Sequence, residues 1–319
     1  MGLIFADMHC DTITTLYDKI SVGSEETFLS NNLHIDIGKL QTAHYLLQNF
    51  AVFFDKKKQD NLFHEALRRI EFFQKELDKN KNCIRQVTSY NEIMQNEKDG
   101  LISALLTLEG GEILEGNVDN LSVFHKKGVR MITLTWNYDN ELGHCHFDTE
   151  GNGLTKLGME MVEQMEVMHI IPDVSHGSDA LFYDVCKIAK KPFVASHSNA
   201  RSVYDRSRNM TDEMIRMLAE RGGVMGMNFF AGFTSVRSGE DGICYLEDML
   251  AHMKHVRNVG GIECLALGSD FDGIGTDVEW QDASGMELFL RGMERAGFTA
   301  AECDKITRGN VLRLYKECL

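Results

Sequence analysis

Residues 170–176, IIPDVSH, and residues 192–197, PFVASH, share one form: a short apolar run that stops on a histidine. Runs of this length, bounded by polar turns, suit buried parallel strands. The same form returns at residues 7–12 (DMHCDT), 105–111 (LLTLEGG) and 265–270 (LALGSD). His9, Asp11, Glu109, His176, His197 and Asp270 thus all fall at the ends of strand-like segments. Eight such segments can be read, near residues 3–8, 49–54, 102–108, 131–135, 170–174, 193–196, 224–228 and 265–268. Between them lie stretches with three- and four-residue apolar spacing, the mark of amphipathic helices; residues 36–48, 61–77, 155–168 and 245–261 are examples. Chemistry gathered at the C-terminal ends of strands in a repeating β-α chain is the layout of an α/β fold, the (β/α)₈ TIM barrel. Imidazoles and carboxylates converging there could hold one or two divalent metal ions that activate water.

A chain of 319 residues could make two ordinary domains or one large barrel. No Pro/Ser/Gly linker or low-complexity run divides it, so residues 1–319 are expected to form a single domain. Thr155, Ser178 and Thr211 read as helix N-caps, and the glycine pairs at 222–223 and 260–261 as C-caps. Pro172 falls inside the fifth strand and marks an end or an irregularity there. Residues 300–318 read as an extra C-terminal helical segment, expected to pack on the outside of the barrel.

The net charge of −15 excludes a protein that tracks nucleic-acid phosphates. The lysine run at 56–58 is too short to overturn that. Eight cysteines are scattered with no CxxC pair, as expected of reduced thiols in a cytoplasmic protein. Strand alternation points Cys10 away from its neighbours His9 and Asp11, into packing. The start, MGLIFADMHCD, lacks a basic n-region and a long apolar core, and no stretch is long enough to span a bilayer. A soluble cytoplasmic protein, with no membrane partner, is the expectation.

His9 and Asp11 are two apart on one strand and so share a face. An imidazole and a carboxylate so placed can chelate a zinc-like ion. Glu109, followed by Gly110 and Gly111, is either a turn carboxylate or a ligand shared between two cations. His176 and His197, as ligands, would each need the other ring nitrogen held by an acceptor. Asp173 or nearby hydroxyls are available for that. Asp270 is preferred to its neighbour Asp272 because it directly follows the strand; it could be a ligand, a general base or an amine anchor. Arg208, with Arg201 and Arg206 as competitors, suits a substrate carboxylate. Residues 136–154, rich in Asn, Asp, His and Gly, read as a lid or pocket wall.

DMHCDT, TLEGG, the DVSH and PFVASHSNARSV block with its following RSRN, and GSDFDG occur in that order. Together they resemble the membrane (renal-type) dipeptidases, peptidase family M19 of the amidohydrolase-like barrels. The resemblance runs over nearly the whole chain. It implies a dinuclear zinc dipeptidase that uses a metal-bridging hydroxide and often tolerates a D-residue on the C-terminal side. It further implies that His9, Asp11 and Glu109 hold one metal ion, and Glu109, His176 and His197 the other. Arg208 would bind the substrate carboxylate, and Asp270 the free amine or the transferred proton. A homodimer is also implied. One departure stands out: where the family pattern has Leu-Thr-His, with a histidine that polarises the scissile carbonyl, this chain has LTWN, with Trp136 in its place. Tryptophan donates only through its indole N–H. Trp136 itself, or Asn137, His144 or His146, is then the candidate donor. The chain also ends NVLRLYKECL, without an anchor signal, so the membrane label does not carry over. Two rivals remain: a metallohydrolase for N-acyl amino acids or other small amides, and a non-catalytic metal-stabilised binding protein.

Overall fold

Parallel strands need partners on both edges and apolar cover on both faces. In the computed structural model, which describes residues 4–319, closure into a barrel meets both demands. The strands are β1 (Phe5–Asp7), β2 (Tyr45–Phe53), β3 (Ile84–Val87), β4 (Ile102–Glu109), β5 (Val129–Thr133), β6 (Ile171–Asp173), β7 (Val194–Ser198), β8 (Val224–Met227), β9 (Ile243–Cys244), β10 (Leu265–Leu267) and β11 (Asp277–Val278). Eight of them run parallel in the order β2-β1-β10-β8-β7-β6-β5-β4, and β4 returns to β2. Helices lie between the strands, giving a (β/α)₈ TIM barrel. β9 and β11 form a separate two-stranded pair. The reading of the first strand began at residue 3, which lies outside the described residues.

Helix ends follow local chemistry. Thr155, Ser178 and Thr211 each accept a backbone N–H from the first turn of their helices. Gly222 and Gly261 sit at positive φ just past two helix ends.

Several elements differ from the sequence reading. Residues 36–48 are not one helix: the helix Ile37–Thr42 stops, His44 turns the chain at φ 60°, and Tyr45 begins β2. Tyr45, Leu46 and Leu47 are fully buried, and a short all-apolar run carries no period that separates strand from helix. The helix Thr12–Ser21, β3 and the helix Tyr90–Asp99 were not foreseen. The last of these carries a capping box, Ser89 with Glu92, and ends at Gly100 with φ 69°. β3 pairs with Ile102–Leu105 of β4, and β5 pairs further along at Leu106–Glu109. Pro172 stays within β6, which is only three residues long and meets β7 at the single pair Asp173–Val194.

The C-terminal helix Asn310–Cys318 does not lie outside the barrel. Its Val311, Leu314, Tyr315 and Cys318 pack with Ala6, Leu47, Leu105, Val194 and Val224, closing the N-terminal mouth of the barrel. Tyr315 is fully buried, and its hydroxyl accepts from Asn49 Nδ2 on β2 at 2.7 Å. One end of the barrel is therefore sealed by apolar packing, and the strands' C-terminal ends remain for chemistry. Tyr315→Ala should cost about 3–5 kcal/mol of stability, read as a lower midpoint in urea unfolding. Tyr315→Phe, which loses only the hydrogen bond, should cost about 1 kcal/mol.

Candidate metal centre

His9 lies two residues beyond β1, Glu109 ends β4, His176 follows β6, His197 lies in β7 and Asp270 follows β10. His176 (φ 67°) and Asp270 (φ 61°) adopt the left-handed conformation that non-glycine residues rarely take. That backbone turns both side chains back over the barrel mouth.

With Asp11, which follows His9 by two residues, five side chains gather about Glu109. Its Oε1 lies 3.0 Å from His176 Nε2 and 3.3 Å from His197 Nε2, while its Oε2 lies 3.4 Å from His9 Nε2. His9 Nε2 is also 3.7 Å from Asp11 Oδ2 and 3.8 Å from Asp270 Oδ1. The two oxygens of one carboxylate thus face two different groups of donors. Glycine is required beside them: a Cβ on Gly273 would clash with Asp11 Oδ2 and Asp270 Oδ1.

The hydrogen bonds around the histidines decide where their lone pairs point. Ser196 Oγ donates to Asp173 Oδ2 at 2.5 Å, so it accepts from His197 Nδ1 at 2.7 Å. Asn137 Oδ1 accepts from His176 Nδ1 at 2.9 Å. Both Nε2 atoms therefore carry lone pairs, and they lie 3.0 Å apart facing Glu109 Oε1. Once Glu109 is ionised, three acceptors converge in a buried place, and a cation satisfies all of them. His9 Nε2 and Asp11 Oδ1, both buried, also lack hydrogen-bond partners. The donor set, imidazole nitrogens with carboxylate oxygens, fits zinc and similar divalent ions.

Partners that the sequence reading passed over hold this arrangement. Asp7 Oδ1 accepts from the backbone N–H of His9 at 3.1 Å and of Ser269 at 3.0 Å, tying two ligand-bearing loops together. Asp173, weighed earlier as an acceptor, plays the matching part for Ser175 and Ser196, and also receives Thr133 Oγ1. The signal was present: an aspartate shortly precedes a strand-end histidine in both DMH and DVSH.

The other named residues do not join the ligand cluster, although Asp272, Arg206, Arg208 and His146 line the cavity over it. Asp272 accepts from Thr12 Oγ1 and from the backbone N–H groups of His34 and Ile35, so it secures loops. Arg201 forms a bidentate pair with Asp179, and Arg206 is exposed over Tyr204. Arg208 is 4 % exposed, donates to Ser198 Oγ and the His197 carbonyl, and leaves Nε without a partner. His144 pairs with Asp139 away from the centre. His146 is held by Asn137 and Ser207 through both ring nitrogens, and burial keeps it neutral, its pKa pushed down to about 3. Cys10 is buried in the apolar core.

A cavity of about 490 Å³ opens over the centre, lined among others by Asp11, Glu109, Trp136, His176, Arg208 and Asp270. Phe53, Phe230 and Phe233 supply apolar wall. The Trp136 ring rests on Phe53, with centroids 4.7 Å apart, and lies 6.3 Å from that of His176. A wider groove of about 730 Å³, lined from Leu246–Gly260 and Met286–Arg295, contains none of the candidate ligands.

Burial pushes Glu109 up to about 7 and Asp270 up to about 8, with Asp11 adding to both. Burial also disfavours charge on His9, yet Glu109 and Asp11 beside it hold it well above the usual range. His176 and His197 are driven well below it by burial. Arg208 falls to about 10 through burial and remains charged.

Fold and site together define a metal-dependent hydrolase barrel. The family model for membrane dipeptidases, peptidase family M19, matches residues 2–318, and the chain belongs to that family: it is a metallo-dipeptidase. Dipeptidase 3 of Rattus norvegicus is 30% identical over 246 residues, covering 73% of this chain and 50% of that protein. A protein encoded in the pqqA 5′ region of Klebsiella pneumoniae is 32% identical over 240 residues, covering 73% and 88%. A Rhodobacter sphaeroides metallopeptidase, solved with a phosphinate mimic of L-Ala-D-Ala, superposes over 100% of both chains with a TM-score of 0.89 at 21% identity. A solved M19 metallopeptidase, dipeptidase AC, gives 0.90 at 22% identity, covering 100% of this chain and 99% of that one. Among the described residues no helix is long and apolar enough to cross a membrane.

Between pH 6.5 and 8 the folded, metal-free protein holds protons on Glu109, Asp270 and His9 that the unfolded chain has released. These raised groups make stability fall as pH rises toward 8, while His176 and His197, held neutral in the fold, oppose that slope near pH 6.5. The melting temperature of chelator-treated protein should be lower at pH 8 than at pH 6.5. Metal loading should flatten the slope, because the ion replaces the protons. Gly273→Ala should lower bound metal, measured by elemental analysis.

Proposed function

We propose that this chain is a zinc-dependent dipeptidase with two ions, one held by His9, Asp11 and Glu109 and one by Glu109, His176 and His197. The observation that carries this reading is the division of Glu109, whose two oxygens face separate donor groups. Bound divalent ions activate water and polarise a carbonyl oxygen. The protein's own groups then bind and orient the substrate. Arg208, charged and with Nε unpartnered in the cavity wall, receives the substrate's carboxylate. Asp270 Oδ1 faces the centre, where it anchors the free amine or carries the proton to the leaving nitrogen. Trp136, braced by Phe53, forms an apolar wall against a substrate side chain rather than a carbonyl donor. A D-residue on the C-terminal side is accepted; the ligand of the Rhodobacter sphaeroides enzyme supports that choice.

This reading treats residues 1–319 as one domain. It also places the protein in the cytoplasm, supported by eight free cysteines, which suit a reducing compartment.

Purified protein should bind two divalent ions per chain, and Glu109→Gln should reduce occupancy of both. Blocking either end of a dipeptide should lower kcat/KM by roughly 30-fold or more, since each block leaves a buried charge unpaired. Equal turnover of acetylated dipeptides would instead identify an amidohydrolase for N-acyl amino acids. Trp136→Ala should raise KM more for bulky dipeptides than for Ala-Ala. A large loss of kcat on Ala-Ala would return a carbonyl-polarising role to the indole.

A further inference from the structure

Arg208 and an ionised Asp270 are opposite charges facing one cavity. Left free, they would be drawn together, and neither would remain for a substrate terminus. Among the described residues Arg208 makes no ion pair with Asp270; its Nη atoms are tied to Ser198 and the His197 carbonyl. What restrains Asp270 is Asn228, which directly follows β8 and is fully buried.

Every polar group of Asn228 is used. Its Nδ2 donates to Asp270 Oδ2 at 2.9 Å, and its Oδ1 accepts from the Phe230 N–H at 2.6 Å. Its backbone is clasped by Asn199, also fully buried: Asn228 N–H donates to Asn199 Oδ1 at 3.2 Å, and Asn199 Nδ2 donates to the Asn228 carbonyl at 2.8 Å. The Phe230 bond fixes which end of the amide carries the N–H groups. An amide nitrogen only donates, so Asp270 Oδ2 must be an acceptor. The other oxygen, Oδ1, is the one that faces His9 Nε2 at 3.8 Å.

We propose that Asn228 is a positioning residue for dipeptide hydrolysis: it pins Asp270 Oδ2, holds the carboxyl away from Arg208, and leaves Oδ1 alone to meet the substrate's amine or the transferred proton. The inference rests on the role given to Asp270 above.

The test is a double-mutant cycle on the metal-loaded full chain, with kcat, KM and metal content read for Asn228→Leu, Asp270→Ala and the pair. Asn228→Leu keeps the branched shape and removes both the donor to Asp270 and the acceptor of the Phe230 N–H, the latter loss being common to both backgrounds of the cycle. It should lower kcat by about 10- to 100-fold, the usual consequence of losing a hydrogen bond to a charged group, with metal content unchanged. In the Asp270→Ala background the same change should cost under about 2-fold, because its partner is already gone. Asn228→Ser, too short to reach Asp270 yet still polar, repeats the comparison with a smaller packing change. An equal loss in both backgrounds would show a merely structural role and overturn the proposal. So would normal kcat in Asn228→Leu while Asp270→Ala is impaired. Undiminished turnover in Asp270→Ala would overturn this proposal together with the role of Asp270.

Discussion

Glu109 Oε1, His176 Nε2 and His197 Nε2 lie within 3.3 Å of one another, all buried, all presenting lone pairs. Such a cluster repels itself unless a proton or a cation sits among it, and much else in the structure serves to keep it assembled. Asn137 and Ser196 take the Nδ1 protons and so fix both tautomers. Asp173 and Asp7 tie the loops that carry the ligands. Left-handed backbone at His176 and Asp270 turns their side chains inward, a strain that the surrounding bonds must over-determine.

The barrel separates two tasks. At the N-terminal mouth the helix Asn310–Cys318 inserts Leu314 and Tyr315 among apolar strand residues. At the C-terminal mouth the interior turns polar, through Thr133, Asp173 and Ser196, and ends in the ligand cluster. Stability concentrated at one end permits an energetically unfavourable set of carboxylates and imidazoles at the other. The cavity above, about 490 Å³, has Arg208 and Asp270 as the proposed readers of opposite charge and aromatic side chains in its wall, which suits a small zwitterion.

Much of this was legible in the sequence because chemistry in a parallel barrel is confined to one end of each strand. An apolar run closing on His, Asp or Glu therefore carries meaning, and His9, Asp11, Glu109, His176, His197 and Asp270 all come to one place. Less legible were features that depend on contact through space. Tyr315 as a plug, Asn228 as the partner of Asp270 and Asn137 as the holder of His176 pair residues 39 to 266 positions apart. Residues 45–47 are illegible for a different reason: an unbroken apolar stretch has no period to betray a strand. The helix Tyr90–Asp99 was overlooked although its capping box is local.

The central claim is that one carboxylate, Glu109, joins two cations. Anomalous diffraction at the zinc edge, from crystals of metal-loaded protein, addresses it directly. Two peaks are expected, each about 2.0–2.2 Å from a different oxygen of Glu109, one beside His9 and Asp11 and one beside His176 and His197. A single peak, or two peaks of which one fails to touch Glu109, would contradict the account.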